Sequence, residues 1–237
     1  MSVEVYEGPE GLAEAAAGEL ASRAAEAIEE RGLFTVVLAG GSTPRATYEI
    51  LARDYAGRID WGKVHVFFGD ERTVPPDDED SNYRMAREAL LDNVPVASVH
   101  RMQGELPPDE AAKAYEEELR GFFGPDELPR FDLILLGIGG DGHTASLFPE
   151  TSALEAHDRW VVANPVLKLQ TTRITLTVPV INAALAVYFL VAGEGKADAL
   201  AHILGGDADP RAYPASLIQP QGGPRWMLDQ PAASKLP

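Results

Sequence analysis

The chain contains no cysteine and has few basic residues. The missing thiols exclude disulfides, thiol nucleophiles and cysteine-ligated metals, and they are consistent with a cytoplasmic protein. Lysine and arginine number 20 against 37 aspartates and glutamates, so the formal net charge is −17 at pH 7. This acidity disfavours nucleic acid or an anionic membrane surface as a partner. An anionic ligand therefore requires a local cluster of positive charge.

The sequence also lacks a long apolar run. No segment approaches the length of a membrane span, and residues 1–7 do not have the pattern of a secretory signal. We therefore expect a cytoplasmic protein without a membrane partner, and the lack of an exposed apolar stripe favours a monomer. At 237 residues the chain is long enough for a substantial core, and no linker divides it, so we predict one domain over residues 1–237.

Strand-like and helix-like segments alternate along the chain, which is typical of parallel strands covered by helices on both faces. We predict an α/β fold, a three-layer α/β/α sandwich with a mostly parallel sheet. The predicted strands span residues 3–6, 35–39, 64–68, 133–136, 160–163, 173–178, 186–192 and 225–228. The predicted helices span residues 9–31, 46–54, 81–91 and 109–123, and a last helix follows residues 193–196 and ends near 204.

Four loops after predicted strands carry glycine or charge, and they begin at Gly40, Gly69, Gly137 and Gly193. In a parallel sheet such loops lie at one edge, which is where open α/β proteins bind ligands. We therefore expect the functional site at that edge.

The first of these loops reads Gly40-Gly41-Ser42-Thr43-Pro44. Proline is favoured in the first turn of a helix, and serine or threonine before it is a good N-cap. The loop is either a phosphate cradle, built from backbone N–H groups and the hydroxyls of Ser42 and Thr43, or an ordinary capped helix. It matches neither a nucleoside-triphosphate loop nor the G-x-S-x-G turn of a serine hydrolase.

Two other loops carry cations. In Asp70-Glu71-Arg72, either the carboxylates orient Arg72 toward a carboxylate, carbonyl or phosphate oxygen, or the three residues form an ion-paired surface loop. Lys196 lies at the start of a predicted helix, where the helix dipole disfavours a cation. It is therefore either a partner of a bound anion or a solvated surface lysine.

The most informative segment spans residues 133–149, where an apolar strand leads into a glycine-rich turn with Asp141 and His143. The turn fits G-x-G-x-x-G, but it lies past mid-chain and no acidic residue ends the next strand, so we predict no dinucleotide. A neutral His143 can take a proton from water while Asp141 holds its ring, or local hydrogen bonds simply satisfy it. The other histidines lack metal-ligand spacing, so we predict no metal.

Several motifs together resemble the family of glucosamine-6-phosphate isomerases and 6-phosphogluconolactonases. They are LAGGSTP at 38–44, FGDERTVP at 68–75, SNY at 81–83 and LGIGGDGHTASLFP at 136–149, extended by RITLT at 173–177 and GEGK at 193–196. The resemblance implies a sugar-phosphate isomerase-like sandwich. It also implies hydrolysis of 6-phospho-D-glucono-1,5-lactone to 6-phospho-D-gluconate in the oxidative pentose phosphate pathway, without a cofactor.

The resemblance also implies roles for individual residues. His143 is expected to be the general base on water with Asp141 as its partner, and Arg72 is expected to contact the substrate. The expected phosphate-binding residues are Gly41, Ser42, Thr43, Arg173 and Lys196, although Arg173 starts a predicted strand and has an acidic residue as its alternative partner. The glycines of the turn are then clearance for a sugar ring.

Two alternatives stay open. Glucosamine-6-phosphate deaminases share the turn but carry a catalytic glutamate shortly after the histidine, whereas residues 144–148 contain no carboxylate before Glu150. A lactone needs only one base and stabilisation of an oxyanion, which this sequence supplies more readily. The other alternative is a non-catalytic sugar-phosphate-binding module.

Overall fold

The fold combines a large parallel sheet, a small antiparallel sheet and helices. A computed structural model describes residues 1–236, so Pro237, the last residue of the predicted domain, lies outside the described residues. The helices in the described part are α1 (Pro9–Arg31), α2 (Ser42–Asp54), α3 (Asn82–Ala86), α4 (Pro108–Phe123), α5 (Val178–Asn182) and α6 (Ala197–Gly205). None of them is both long and apolar enough to cross a lipid bilayer.

The large sheet has seven strands, all paired in parallel. They are β1 (Ser2–Tyr6), β2 (Phe34–Leu38), β3 (Val64–Phe68), β5 (Ser98–Val99), β6 (Leu133–Leu136), β9 (Val187–Val191) and β10 (Arg225–Asp229). Their order across the sheet is β1-β10-β9-β6-β2-β3-β5. Strands β2, β6 and β9 are buried along their whole length, because helices cover both faces.

The two faces of this sheet carry separate apolar clusters, as the two-residue period of a strand requires. On β2, Val37 packs with the buried face of α4. Its neighbours Val36 and Leu38 pack on the opposite face with residues of α1 and α2. The α/β sandwich with a mostly parallel sheet is therefore confirmed.

The small sheet differs from the prediction. It is antiparallel, and its strands β4 (Asp70–Arg72), β7 (Val161–Val166) and β8 (Thr171–Leu176) lie in the order β4-β8-β7. The sequence indicated a loop at 70–72, because three charged residues in succession have low strand propensity. It also indicated that the segments at 160–163 and 173–178 belong with the parallel strands, whereas they form a hairpin.

Some other boundaries differ as well. Helix α2 begins at Ser42 and not at residue 46. The predicted helix at 81–91 consists of α3 followed by one π-helical turn, Arg87–Leu91. Strand β5 was not predicted, because its two residues are too few for a periodic pattern.

Candidate active site

A cavity of about 400 Å³ opens at the carboxyl edge of the parallel sheet. The loops after β2, β6 and β9 form its walls, and β4 and β8 of the small sheet close one side. This is the edge at which the sequence predicted the site. The predicted residues that line the cavity are Gly41, Arg72, Asp141, His143, Arg173 and Lys196.

Ser42 and Thr43 are not among the residues that line this cavity. The N-cap of α2 is Gly41, with φ of 104°, and no side chain caps the helix. Ser42 is exposed, and the carbonyl of Thr43 accepts a hydrogen bond from Thr47 Oγ1 at 3.2 Å. The expectation of a serine or threonine N-cap was therefore wrong, because the helix begins at Ser42, two residues before Pro44, and Gly41 takes the cap position.

The turn after β6 is fixed by its own backbone. The Gly139 N–H donates to the His143 carbonyl at 2.8 Å, and the Gly142 N–H donates to the Gly139 carbonyl at 3.0 Å. Gly142 has φ of 77°, a left-handed conformation that glycine adopts without strain. Thr144 Oγ1 donates to the Gly137 carbonyl at 2.8 Å. The turn therefore holds His143 in one place without help from a ligand.

The imidazole of His143 lies between a glycine and an aromatic ring. A Cβ atom at position 139 would stand 2.0 Å from Nδ1 of His143. On the other side the ring stacks on Phe148, with centroids 4.1 Å apart and an interplanar angle of 23°. Gly139 therefore makes room for the imidazole of His143. It also lines the cavity, so its role as clearance for a sugar ring stays a prediction.

Asp141 holds the imidazole from its Nδ1 side. Oδ1 of Asp141 lies 2.5 Å from Nδ1 of His143, and it also accepts the His143 backbone N–H at 3.3 Å. When the imidazole is neutral, this contact places its proton on Nδ1 and leaves Nε2 as an acceptor. Oδ2 of the same carboxylate contacts Nζ of Lys168, a cavity residue that the sequence analysis missed.

Burial keeps the imidazole neutral. It lowers the pKa of His143 to about 4, against an ordinary value of 6.5. The charge of Asp70 opposes this shift, whereas Lys196, Arg173 and Arg72 add to it. At neutral pH, His143 is therefore an uncharged proton acceptor among cations.

Two arginines meet across the small sheet. The antiparallel register of β4 and β8 places Arg72 directly opposite Arg173, so both side chains lie on the same face. Nε of each arginine is buried and has no hydrogen-bond partner in the described part of the chain. Burial and the neighbouring Arg72 lower the pKa of Arg173. Like charges so arranged destabilise a sheet unless an anion compensates them.

One interpretation of this loop had Asp70 and Glu71 orienting Arg72, but neither carboxylate pairs with its guanidinium. Glu71 accepts only the backbone N–H of Arg72, at 2.7 Å. Nη1 of Arg72 donates to the Asp80 carbonyl. Glu71 is buried and accepts the backbone N–H groups of Asn82 at 2.8 Å and Tyr83 at 2.8 Å, so it attaches the start of α3 to β4. Arg72 therefore keeps a free positive charge toward the cavity.

Asp70 belongs to a polar wall. It accepts hydrogen bonds from Ser146 Oγ at 2.7 Å and from Asn82 Nδ2 at 3.3 Å. A Cβ at position 40 would stand 2.0 Å from Oδ1 of Asn82. Asn82 lies in the SNY motif and Ser146 lies in the motif at 136–149, but neither of them was assigned to the site from the sequence.

Lys196 is the third unpaired cation of the cavity. It ends the short 3-10 turn Glu194–Lys196 between β9 and α6. Within residues 1–236, 14 of the 20 lysines and arginines have a carboxylate within 4.0 Å, although the chain is strongly acidic. The six that have none are Arg23, Arg58, Arg72, Arg130, Arg173 and Lys196. Three of these line one cavity, which is the local positive cluster that an anionic ligand requires.

In the described part of the chain, no group of three or more histidine, aspartate or glutamate side chains is arranged to hold a metal ion. The cavity instead combines cations, glycine backbone and one imidazole, which suits an anion next to a site of proton transfer.

Comparison with known proteins relates this arrangement to a family. The model of the glucosamine-6-phosphate isomerases and 6-phosphogluconolactonases matches residues 7–226. A 6-phosphogluconolactonase of Synechocystis sp. is 50% identical, over 91% of this chain and 90% of its own length. A 6-phosphogluconolactonase of Mycobacterium tuberculosis is 42% identical, over 100% of this chain and 98% of its own.

A solved structure agrees with these relatives. The 6-phosphogluconolactonase from Trypanosoma cruzi matches 99% of this chain and 96% of its own with a TM-score of 0.89 and 29% identity. The resemblance carried by the sequence motifs is thus confirmed over nearly the whole length. The chain belongs to the glucosamine-6-phosphate isomerase/6-phosphogluconolactonase family.

Proposed function

We propose that this chain is a lactone hydrolase that converts 6-phospho-D-glucono-1,5-lactone to 6-phospho-D-gluconate in the oxidative pentose phosphate pathway. The observation that carries the proposal is one cavity in which a neutral histidine faces three cations without carboxylate partners. The names of the relatives support the choice of substrate. We further propose a cytoplasmic monomer that needs no metal or cofactor and binds neither nucleic acid nor membrane.

In this proposal the cations bind the phosphate. Arg72 and Arg173 present guanidinium groups from adjacent strands, and Lys196 approaches from the loop after β9. The backbone of Gly40 and Gly41, before α2, adds N–H groups at a helix N-terminus. Anchoring the phosphate there fixes the lactone carbonyl near His143 and lowers the entropic cost of reaching the transition state. Because Ser42 and Thr43 lie outside the cavity wall, we propose them only as supports of that loop.

The chemical step needs one base. Nε2 of His143 accepts a proton from water while the water oxygen bonds to C1. The carbonyl oxygen becomes an oxyanion, which Arg72 or nearby loop N–H groups stabilise. When this intermediate collapses, the bond from C1 to the ring oxygen breaks. The imidazolium returns its proton to the departing oxygen, which becomes a hydroxyl, and the new carboxylic acid ionises in water.

The substrate itself strengthens the base. Lys196, Arg173 and Arg72 lower the pKa of His143 in the empty cavity. A bound phosphate dianion offsets these charges, so the pKa of His143 rises toward neutral pH in the complex. A general base is most effective when its pKa is near the working pH. The phosphate group therefore serves both as an anchor and as a charge that activates the histidine.

The test is an assay that generates the lactone in situ and follows 6-phosphogluconate formation, after subtraction of uncatalysed hydrolysis. We expect His143→Gln to lower kcat by about 10²- to 10⁴-fold, the usual contribution of a general base. His157→Gln is the matched control, because His157 is exposed and lies outside the cavity. Near wild-type turnover in His143→Gln contradicts the mechanism.

Two other outcomes overturn the proposed reaction itself. Release of ammonia from glucosamine 6-phosphate identifies a deaminase. Tight binding of the sugar phosphate without any turnover identifies a binding module. The lactone assay and these two controls use the same wild-type protein, so the three activities can be compared directly.

A further inference from the structure

Lys168 lies outside the sequence motifs but inside the cavity. It belongs to the short turn Leu167–Leu169 between β7 and β8, which ends at Gln170 with φ of 50°. The neighbouring Leu167 is 88% exposed, so the turn projects from the small sheet. The side chain of Lys168 returns to the cavity wall, where its ammonium lies 4.9 Å from the centroid of Phe148.

The Asp141 carboxylate is shared between two partners. One oxygen contacts Nδ1 of His143, and the other contacts the ammonium of Lys168. Phe148 touches both partners, because its ring stacks on the imidazole and carries the ammonium over its face. The contact between Lys168 and Asp141 joins two elements, the hairpin of the small sheet and the turn after β6.

Lys168 is 48% exposed and Asp141 is 34% exposed, so an ion pair between them adds little to folding stability. Its effect on orientation is larger. A carboxylate held at both oxygens cannot rotate away from Nδ1, and the imidazole then keeps the tautomer with Nε2 free.

We propose that Lys168 is a positioning residue, which acts through Asp141 to hold His143 in its proton-accepting orientation and to keep it uncharged before substrate binds. The inference rests on the proposed function for its kinetic consequences. Lys168 is not placed in the phosphate site, because its ammonium is already engaged by Asp141.

The charges around the imidazole decide in which direction the loss of Lys168 moves the pKa of His143. Those that face it are Asp141 from its own turn, Lys168 from the hairpin, Asp70 and Arg72 from β4, Arg173 from β8 and Lys196 before α6. Replacing Lys168 by methionine removes one positive charge and leaves Asp141 uncompensated. The protonated imidazole is thereby favoured, so the titration midpoint of His143 moves to higher pH.

The first test needs no substrate. The C2–H resonance of His143 is followed by NMR against pH in the wild type, Lys168→Met, Lys168→Arg and the control Lys113→Met. Lys113 is an exposed lysine in an ion pair with Glu117. We expect the midpoint to rise by about 1 pH unit in Lys168→Met. We expect no change in Lys168→Arg or in Lys113→Met. An unmoved midpoint in Lys168→Met overturns the proposal.

The second test is kinetic. We expect Lys168→Met to lower kcat by about 10- to 100-fold through misplacement of the base, with a smaller change in KM. The arginine variant should recover most of the activity. A rise in KM with unchanged kcat shows a substrate-binding lysine and overturns the proposal, as does an arginine variant as impaired as Lys168→Met. If the wild type hydrolyses no lactone, the proposed function fails, and the NMR titration still decides whether Lys168 controls His143.

Discussion

Replacement of Arg173 by methionine should stabilise the folded protein while it abolishes binding of the anion. Arg173 stands opposite Arg72 in the small sheet, and its Nε is buried without a partner in the described residues. Burial and the neighbouring charge of Arg72 lower its pKa. Methionine keeps an apolar stem of similar length but removes both the charge and the unsatisfied donor. The fold therefore loses an unfavourable arrangement, which the charges of Asp70, Asp80 and Glu71 compensate only in part.

The magnitude follows from two contributions. A buried donor without a partner costs roughly 1–3 kcal/mol. Like charges directly opposite in an antiparallel pair cost a further ~0.2–1 kcal/mol. Arg173 is only partly buried and water offsets some of this cost, so we expect a net gain of about 1–2 kcal/mol in the free energy of unfolding. For a chain of this size that corresponds to a rise in Tm of roughly 2–8 °C.

The assay is thermal and urea unfolding in a buffer free of phosphate and sulfate, repeated with inorganic phosphate. Phosphate at 100 times its Kd should stabilise the wild type by about 2.7 kcal/mol and should have little effect on Arg173→Met. Arg45→Met is the control, because Arg45 is exposed and paired with Glu49, and it should change stability by less than about 0.5 kcal/mol. A destabilised Arg173→Met with an undiminished response to phosphate refutes the reasoning.

Three other predictions concern the residues around the cavity. Because the pKa of His143 is lowered to about 4, the unfolded chain binds a proton that the folded chain does not, so stability falls as pH drops below 6.5. From pH 7 to pH 5 the free energy of unfolding, measured in urea, should fall by about 2 kcal/mol more in the wild type than in His143→Gln. An equal fall in both proteins contradicts the lowered pKa of His143. Gly139→Ala places a Cβ 2.0 Å from His143 Nδ1 and should lower kcat by about 10²-fold, and wild-type turnover argues against the packing of that imidazole. Gly40→Ala places a Cβ 2.0 Å from buried Asn82 and should lower the free energy of unfolding by about 1–3 kcal/mol in the same assay. Gly57→Ala is the control, because a Cβ at position 57 has no atom within 4 Å. Equal losses in the two variants contradict the contact.

Much of the fold could be predicted from local pattern. The apolar runs at β2, β6 and β9 indicated strands buried on both faces, and the helical periodicity of residues 9–31 matches α1 to the residue. These signals are local, because burial and propensity act on neighbours along the chain. The segment at 70–72 shows the limit, since its charged residues become β4 only because β8 supplies backbone partners. The prediction of a single domain over residues 1–237 stays a prediction.

Some features of the site could also be predicted from the sequence, and others could not. The turn with Asp141 and His143 could be predicted from sequence, because it is built from consecutive residues whose glycines allow a tight turn without strain. The role of Gly139 could not, because its hydrogen atoms face an imidazole that only the folded turn brings back onto it. The roles of Ser42 and Thr43 were also mispredicted, because the helix begins at Ser42 and both residues lie in its first turn instead of at its cap.

The sequence by itself determined the parallel sheet, the edge at which the site lies, the family, and the histidine that we propose as the base. Only the tertiary structure decided the partners: Arg173 opposite Arg72, and Lys168 against Asp141. The physical reason is that periodicity reports which face of an element is buried, but it carries no information about which distant strand pairs with it or in what register. The positive cluster in this acidic chain is a product of that pairing.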